Sequence, residues 1–127
     1  MIVIVKKDGT ATNKMAQEQA ENYFLAPSKK FGPPMIAGNP SCLKQAFNDV
    51  TTPGRGKATG DYKFNNFRVL HASSGNGQKS VSVFYYDIGN IHYIIAVGEH
   101  VTSKSYKLSY YGQPTGPFKS GSTIVLS

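Results

Sequence analysis

Tryptophan is absent from this chain of 127 residues, cysteine occurs once, and only seven acidic residues stand against fourteen Lys and Arg. The lone Cys42 cannot form an internal disulfide, and it excludes zinc sites built from several thiolates. Its place in an apparent helix makes it a small packed residue, and a reducing compartment, the cytoplasm, is the expectation. No stretch approaches the ~20 apolar residues of a membrane span. The opening "MIVIVKKDG" has four apolar residues after Met1 before a lysine pair, short of a signal peptide's apolar region. A soluble protein with no membrane partner is expected. The scattered acids place no carboxylate pair for two-metal hydrolysis or glycoside cleavage. "GRGKATG" lacks the Gly-Lys-Ser/Thr ending of a phosphate loop, and the inventory calls for no metal and no cofactor.

What is present is a formal charge of +7, a sequence pI near 9.5, and eight Tyr with seven Phe in a 39% hydrophobic chain. This composition suffices for one folded domain over residues 1–127. The positive field concentrates polyanions around it. Residues 51–127 alone hold eight Lys and Arg against three acids.

Ile2 to Val5 reads as a first strand, ended by the turn dipeptide Asp8-Gly9. Thr12 or Asn13 is the expected cap of a helix whose apolar stripe is Ala16, Ala20, Tyr23 and Phe24. A Pro/Gly-rich loop follows. Asn39-Pro40 then opens a second helix with Leu43, Ala46, Phe47 and Val50 at i, i+3, i+4 and i+7. "TTPGRGKATGD" is expected to be a flexible loop. From Tyr62 the period changes from 3.6 to 2: "KFNNFRVLHA" predicts a strand ending near His71, "KSVSVFYYD" and "NIHYIIAVG" flank a tight turn, and "SYKLSYYG" and "STIVLS" add weaker strands. The fold class is therefore α+β, with an N-terminal strand and two helices (within 13–50) on one face of a mainly antiparallel sheet of four to six strands (62–127).

Alternation assigns Phe67, Val69, Val81, Val83, Tyr85, Ile91, Tyr93, Ile95 and Val97 to the face under the helices. Arg68, Leu70, Ser82, Phe84, Tyr86, His92 and Ile94 then share the opposite face, expected to be free for a ligand. Its mixture of aromatic, cationic and imidazole groups suits stacked bases and phosphates. Arg55, Lys57, Lys104 and Lys107 add cations in loops and at strand edges, and His71 and His100 end strands. Such an inventory permits metal-independent RNA cleavage: a base takes the 2′ proton, cations steady the phosphate, and an acid protonates the leaving 5′ oxygen.

"FRVLHA", "VFYYDIGNIHYIIAVGEH" and "SYKL", in the order strand, two helices, antiparallel sheet, resemble the RelE-like ribonuclease toxins of bacterial toxin–antitoxin systems, from about Asn66 to Leu108. The resemblance implies endonucleolytic RNA cleavage and an acidic antitoxin or immunity protein as partner. Matching catalytic positions are Arg68, Tyr86, His100 and Tyr106. Lys57 and Lys104 lie near them in the chain, and with Arg55, His71, His92 and Lys107 they make up the expected RNA-binding set. The inter-helix loop and the tail beyond Gly112 are longer than that family's pattern. Two other readings fit the same charge: a noncatalytic nucleic-acid-binding module, and a small phage or bacterial interaction protein that binds an acidic partner.

Overall fold

The computed structural model describes residues 1–5, 10–25, 40–64, 66–75, 81–102, 105–110 and 123–125, with backbone alone at 25, 40, 59–64, 99–102, 105–110 and 123–125. The elements in chain order are β1 (Ile2–Ile4), α1 (Gln17–Leu25), α2 (Pro40–Thr51), β2 (Lys57–Phe64), β3 (Phe67–Ser74), β4 (Val81–Ile88), β5 (Ile91–Thr102), β6 (Ser105–Tyr110) and β7 (Thr123–Val125). Strands β2 to β7 lie in sequence order in one sheet. β1 joins it parallel to β5, pairing Ile2 with His92 and Ile4 with Ile94, while β6 pairs antiparallel with β5 from Val97 to Thr102. β4 takes the other side of β5, so β1 and β6 share one edge of that strand. The fold is α+β, mainly antiparallel with one parallel pair, and both helices pack into the core on one side of the sheet.

α2 forms as its sequence predicts, and Leu43, Ala46, Phe47 and Val50 are all buried. Burying each of the larger of these contributes roughly 1.5–3 kcal/mol. α1 starts later than expected, because the preceding residues are occupied by β1. Met15 and Ile2 exchange backbone hydrogen bonds of 2.8 and 2.9 Å, and Ile4 donates its N–H to Thr12 Oγ1 at 2.9 Å. Thr12 therefore serves the strand and does not cap the helix. Gln19 Oε1 instead accepts from the Ala16 N–H at 3.1 Å, the N3 half of a capping box.

The segment read as one flexible loop ends earlier than expected: after a turn with Gly54 at φ 81°, β2 begins at Lys57 and pairs with His71 and Leu70 of β3. "KFNNFRVLHA" is likewise two strands, folded back at Asn66 with φ 69° so that Phe64 meets Phe67. Asparagine tolerates that left-handed conformation better than other side chains. The Pro/Gly-rich segment at 26–39 lies outside the described residues.

A bulge decides which side chains face the helices. Phe84 pairs with Ala96 but Tyr85 with Ile94, so two residues of β5, Ile95 and Ala96, stand against one of β4. The parity of β5 changes there: Ile94 and Val97 join the helix-side core, whereas Ile95, Ala96 and Tyr93 lie in a second cluster with Val5, Val69, Phe84 and Tyr86. The expected assignment holds for β4, where Val81, Val83 and Tyr85 face the helices. It fails for β3, where Leu70 and Ala72 do so in place of Val69. The far face is not an open platform, since Val69, Phe84 and Ile95 are each 0% exposed.

Candidate functional site

At the end of the sheet where the β2–β3 and β4–β5 turns lie, three adjacent strands each contribute a ring and a polar group in consecutive positions. These are Phe67-Arg68 on β3, Tyr86-Asp87 on β4 and His92-Tyr93 on β5. Alternation sends the two members of each pair to opposite faces. Tyr86 is the register partner of Tyr93, and Asp87 of His92. The β3–β4 pairing ends at Leu70 and Tyr85, and alternation puts Arg68, two residues from Leu70, on the same face as Asp87. One row, Arg68, Asp87 and His92, therefore lies on the helix side, and an aromatic row lies behind it.

The polar row is built around a single contact. His92 Nδ1 lies 2.6 Å from Asp87 Oδ1, with 19% and 38% of the two side chains exposed. An ionised carboxylate only accepts, so Nδ1–H is the donor and the Nε2 lone pair is left for another proton. Nε2 has no hydrogen-bond partner among the described residues. The imidazole is held further by the Tyr85 ring, edge-on at 6.2 Å, and its backbone N–H donates to the Met1 carbonyl at 3.1 Å. Arg68 is exposed and has no ion pair among the described residues. A cation, a carboxylate and an oriented imidazole thus line one edge, the set needed to bind a phosphodiester and remove a neighbouring proton.

Tyr85 forms the floor beside this row. The residue is 2% exposed, and burial first, then the carboxylates of Asp87 and Asp49, push its phenol up to about 12. It stays neutral through the physiological range. Its hydroxyl has the backbone of Gly56 against it: a Cβ at that position would lie 1.8 Å from Tyr85 Oη and 2.9 Å from Cζ. The close approach, with no demand on φ, accounts for glycine there, and it draws the turn carrying the exposed Arg55 and Lys57 toward Tyr85.

On the far face the rings form a ladder. Phe67 and Tyr86 stack at 5.0 Å and 8°, and Tyr86 and Tyr93 at 5.0 Å and 0°. Tyr86 is 6% exposed, and burial, with a smaller contribution from Tyr93, raises its phenol pKa. It is a packed ring on the opposite face from Arg68. His71 is also buried on the far face, its ring 6.0 Å from that of its register partner Phe84. His100 pairs with Tyr106, and Lys107 with Glu99. His100 is eight residues along β5 from His92, roughly 25 Å at the rise of a strand. The register does not bring Arg68, Tyr86, His100 and Tyr106 together: the first two share an end of the sheet but not a face, and the last two lie toward its other end. Lys104 falls outside the described residues.

Asp87, the residue that orients His92, was not among the candidates read from sequence. The signal for it was available: a two-residue turn at Gly89-Asn90 makes Asp87 and His92 cross-strand partners. The roles of Tyr85 and Gly56 had no sequence signal, because the approach of the α2–β2 turn to β4 is a tertiary contact. Among the described residues, no three His, Cys, Asp or Glu side chains gather as metal ligands would. No helix among them is long and apolar enough to cross a membrane. No family model, curated protein or solved structure matches the chain.

Proposed function

We propose that this protein is a small basic endoribonuclease that cleaves RNA without metal through the substrate's own 2′-hydroxyl. The observation that carries the reading is the Asp87–His92 pair at 2.6 Å, with Arg68 on the same face at that end of the sheet. His92 Nε2 takes the 2′ proton, and the 2′ oxygen attacks phosphorus. The bond to the 5′ oxygen breaks, and that oxygen takes a proton from water. Asp87 fixes the tautomer and stabilises the imidazolium, and Arg68 offsets charge growing on the phosphate. The products are a 2′,3′-cyclic phosphate and a 5′-hydroxyl. The +7 charge supports a polyanionic substrate, with Arg55 and Lys57 on the neighbouring turn.

The resemblance of the 66–108 segment to RelE-like toxins points to the same chemistry, with His92 in place of His100 as the base. It also points to cytoplasmic action and to an acidic antitoxin or immunity protein. The test is incubation with RNA in excess chelator followed by end-group analysis. Cyclic phosphate ends produced by wild-type protein and lost in His92→Ala support the enzyme, and RNA left intact by wild-type protein contradicts it. A second reading, a noncatalytic nucleic-acid-binding module, is favoured by one observation: the polar row holds one imidazole, and the phenol packed against it, Tyr85, keeps its proton to about pH 12. Intact RNA bound in a salt-sensitive manner is its signature.

A further inference from the structure

The far face at this same end of the sheet carries a feature that strand cleavage does not use. Its aromatic ladder runs Tyr93, Tyr86, Phe67, with the rings parallel and 5.0 Å apart, and it emerges from the buried cluster toward solvent. Tyr86 at the centre is 6% exposed, while Phe67 at the β3 end is 39% exposed. One side of the Phe67 ring is covered by Tyr86, so the ladder ends on a large apolar ring that the described residues leave in solvent. The next residue, Arg68, is an exposed cation, and Lys63 is its register partner on β2.

We infer that Phe67 is a nucleobase-stacking position, where a base of single-stranded RNA adds a further ring to the ladder while its flanking phosphate meets Arg68. The inference rests on the RNA-directed reading above and adds a subsite to it. Charge and geometry select this occupant. A base offers a flat π-face to an aromatic ring, whatever the sequence, and the phosphate that follows carries the charge complementary to Arg68, which has no ion pair among the described residues. Consecutive residues of one strand point to opposite faces, so a strand of RNA crossing the sheet end at Phe67-Arg68 passes from the ladder toward the Asp87–His92 row. The buried Tyr86 holds the platform rigid, which keeps the entropy lost on stacking small.

The test uses fluorescence anisotropy in excess chelator, with a single-stranded RNA blocked at the 2′ positions against cleavage and an abasic strand of the same length and charge. Wild-type protein is expected to bind the base-bearing strand more tightly. Phe67→Ala is expected to weaken that binding roughly 5- to 100-fold while leaving the abasic strand unaffected. Phe67→Leu, which keeps apolar bulk without a ring, should fail like alanine, and Phe67→Tyr should retain affinity; circular dichroism checks that all three are folded. Equal affinity of wild type and folded Phe67→Leu for the base-bearing strand overturns the stacking assignment while the RNA reading stands, and leaves the exposed Phe67 and Ile88 as a protein-contact edge. Failure of wild-type protein to bind either strand overturns both.

Discussion

His92 Nδ1 and Asp87 Oδ1 face each other at 2.6 Å across the β4–β5 hairpin, one register pair away from the Ile88–Ile91 closure of its turn. Their alignment is imposed by the shortest loop a hairpin uses, with Gly89 at φ 60° in its first position. If the carboxylate sets the imidazole tautomer, Asp87→Asn should preserve the fold and lower RNA cleavage roughly 10-fold or more, because an amide can present its NH2 group and reverse the tautomer. Thermal unfolding and initial rates measured on the same preparation check this.

Gly56 and Tyr85 should behave as a coupled pair. Gly56→Ala places a methyl group 1.8 Å from Tyr85 Oη, forcing a buried ring to move, at a cost of about 1–3 kcal/mol. Tyr85→Phe removes the hydroxyl, which has no hydrogen bond among the described residues, and should recover part of that loss in the double variant. The recovery is incomplete because Cζ remains 2.9 Å from the added carbon. Urea denaturation of the four proteins in the cycle measures the coupling.

Tyr85 also sets an alkaline limit. Its folded pKa, about 12, lies above a phenol's ordinary value of 10.0, so the unfolded chain loses this proton first as pH rises. The contribution is fully present below pH 10 and is lost progressively as pH climbs from 10 through about 12. The raised phenols of Tyr23 and Tyr86 act in the same direction. The urea midpoint of wild type should therefore fall between pH 9 and 11.5, and that of Tyr85→Phe should fall less.

Tyr86 was a catalytic candidate by sequence and is a ring in the middle of a stack. Tyr86→Ala should cost about 3–5 kcal/mol, as large-to-small changes at buried aromatic residues do. The denaturant midpoint measures that loss directly.

How far the sequence could be read differs by element. α2 announces itself through Asn39-Pro40 and four apolar residues on one stripe, and the hairpin strands through alternation and Gly89-Asn90. The faces of β5 were illegible for a physical reason: Tyr93 to Val97 is apolar at every position, so the pattern reads equally well in either parity, and the bulge at Ile95/Ala96 leaves no trace in hydrophobicity. The start of α1 differs from its sequence signal because Thr12, a good capping residue by type, is used by β1 through a contact eight residues away. Arg68 and His92 were visible as candidates. Their shared row with Asp87 depends on register, which a list of residue types does not contain.

The base proposed for cleavage is His92 and not His100. The most direct measurement is the rate of 2′,3′-cyclic phosphate formation on single-stranded RNA in excess chelator for His92→Ala and His100→Ala beside wild type. The prediction is a loss of about 100-fold or more for His92→Ala, the lower range for removing a general base, with His100→Ala close to wild type. Loss in His100→Ala with His92→Ala fully active would contradict that assignment, and so would absence of cleavage by all three.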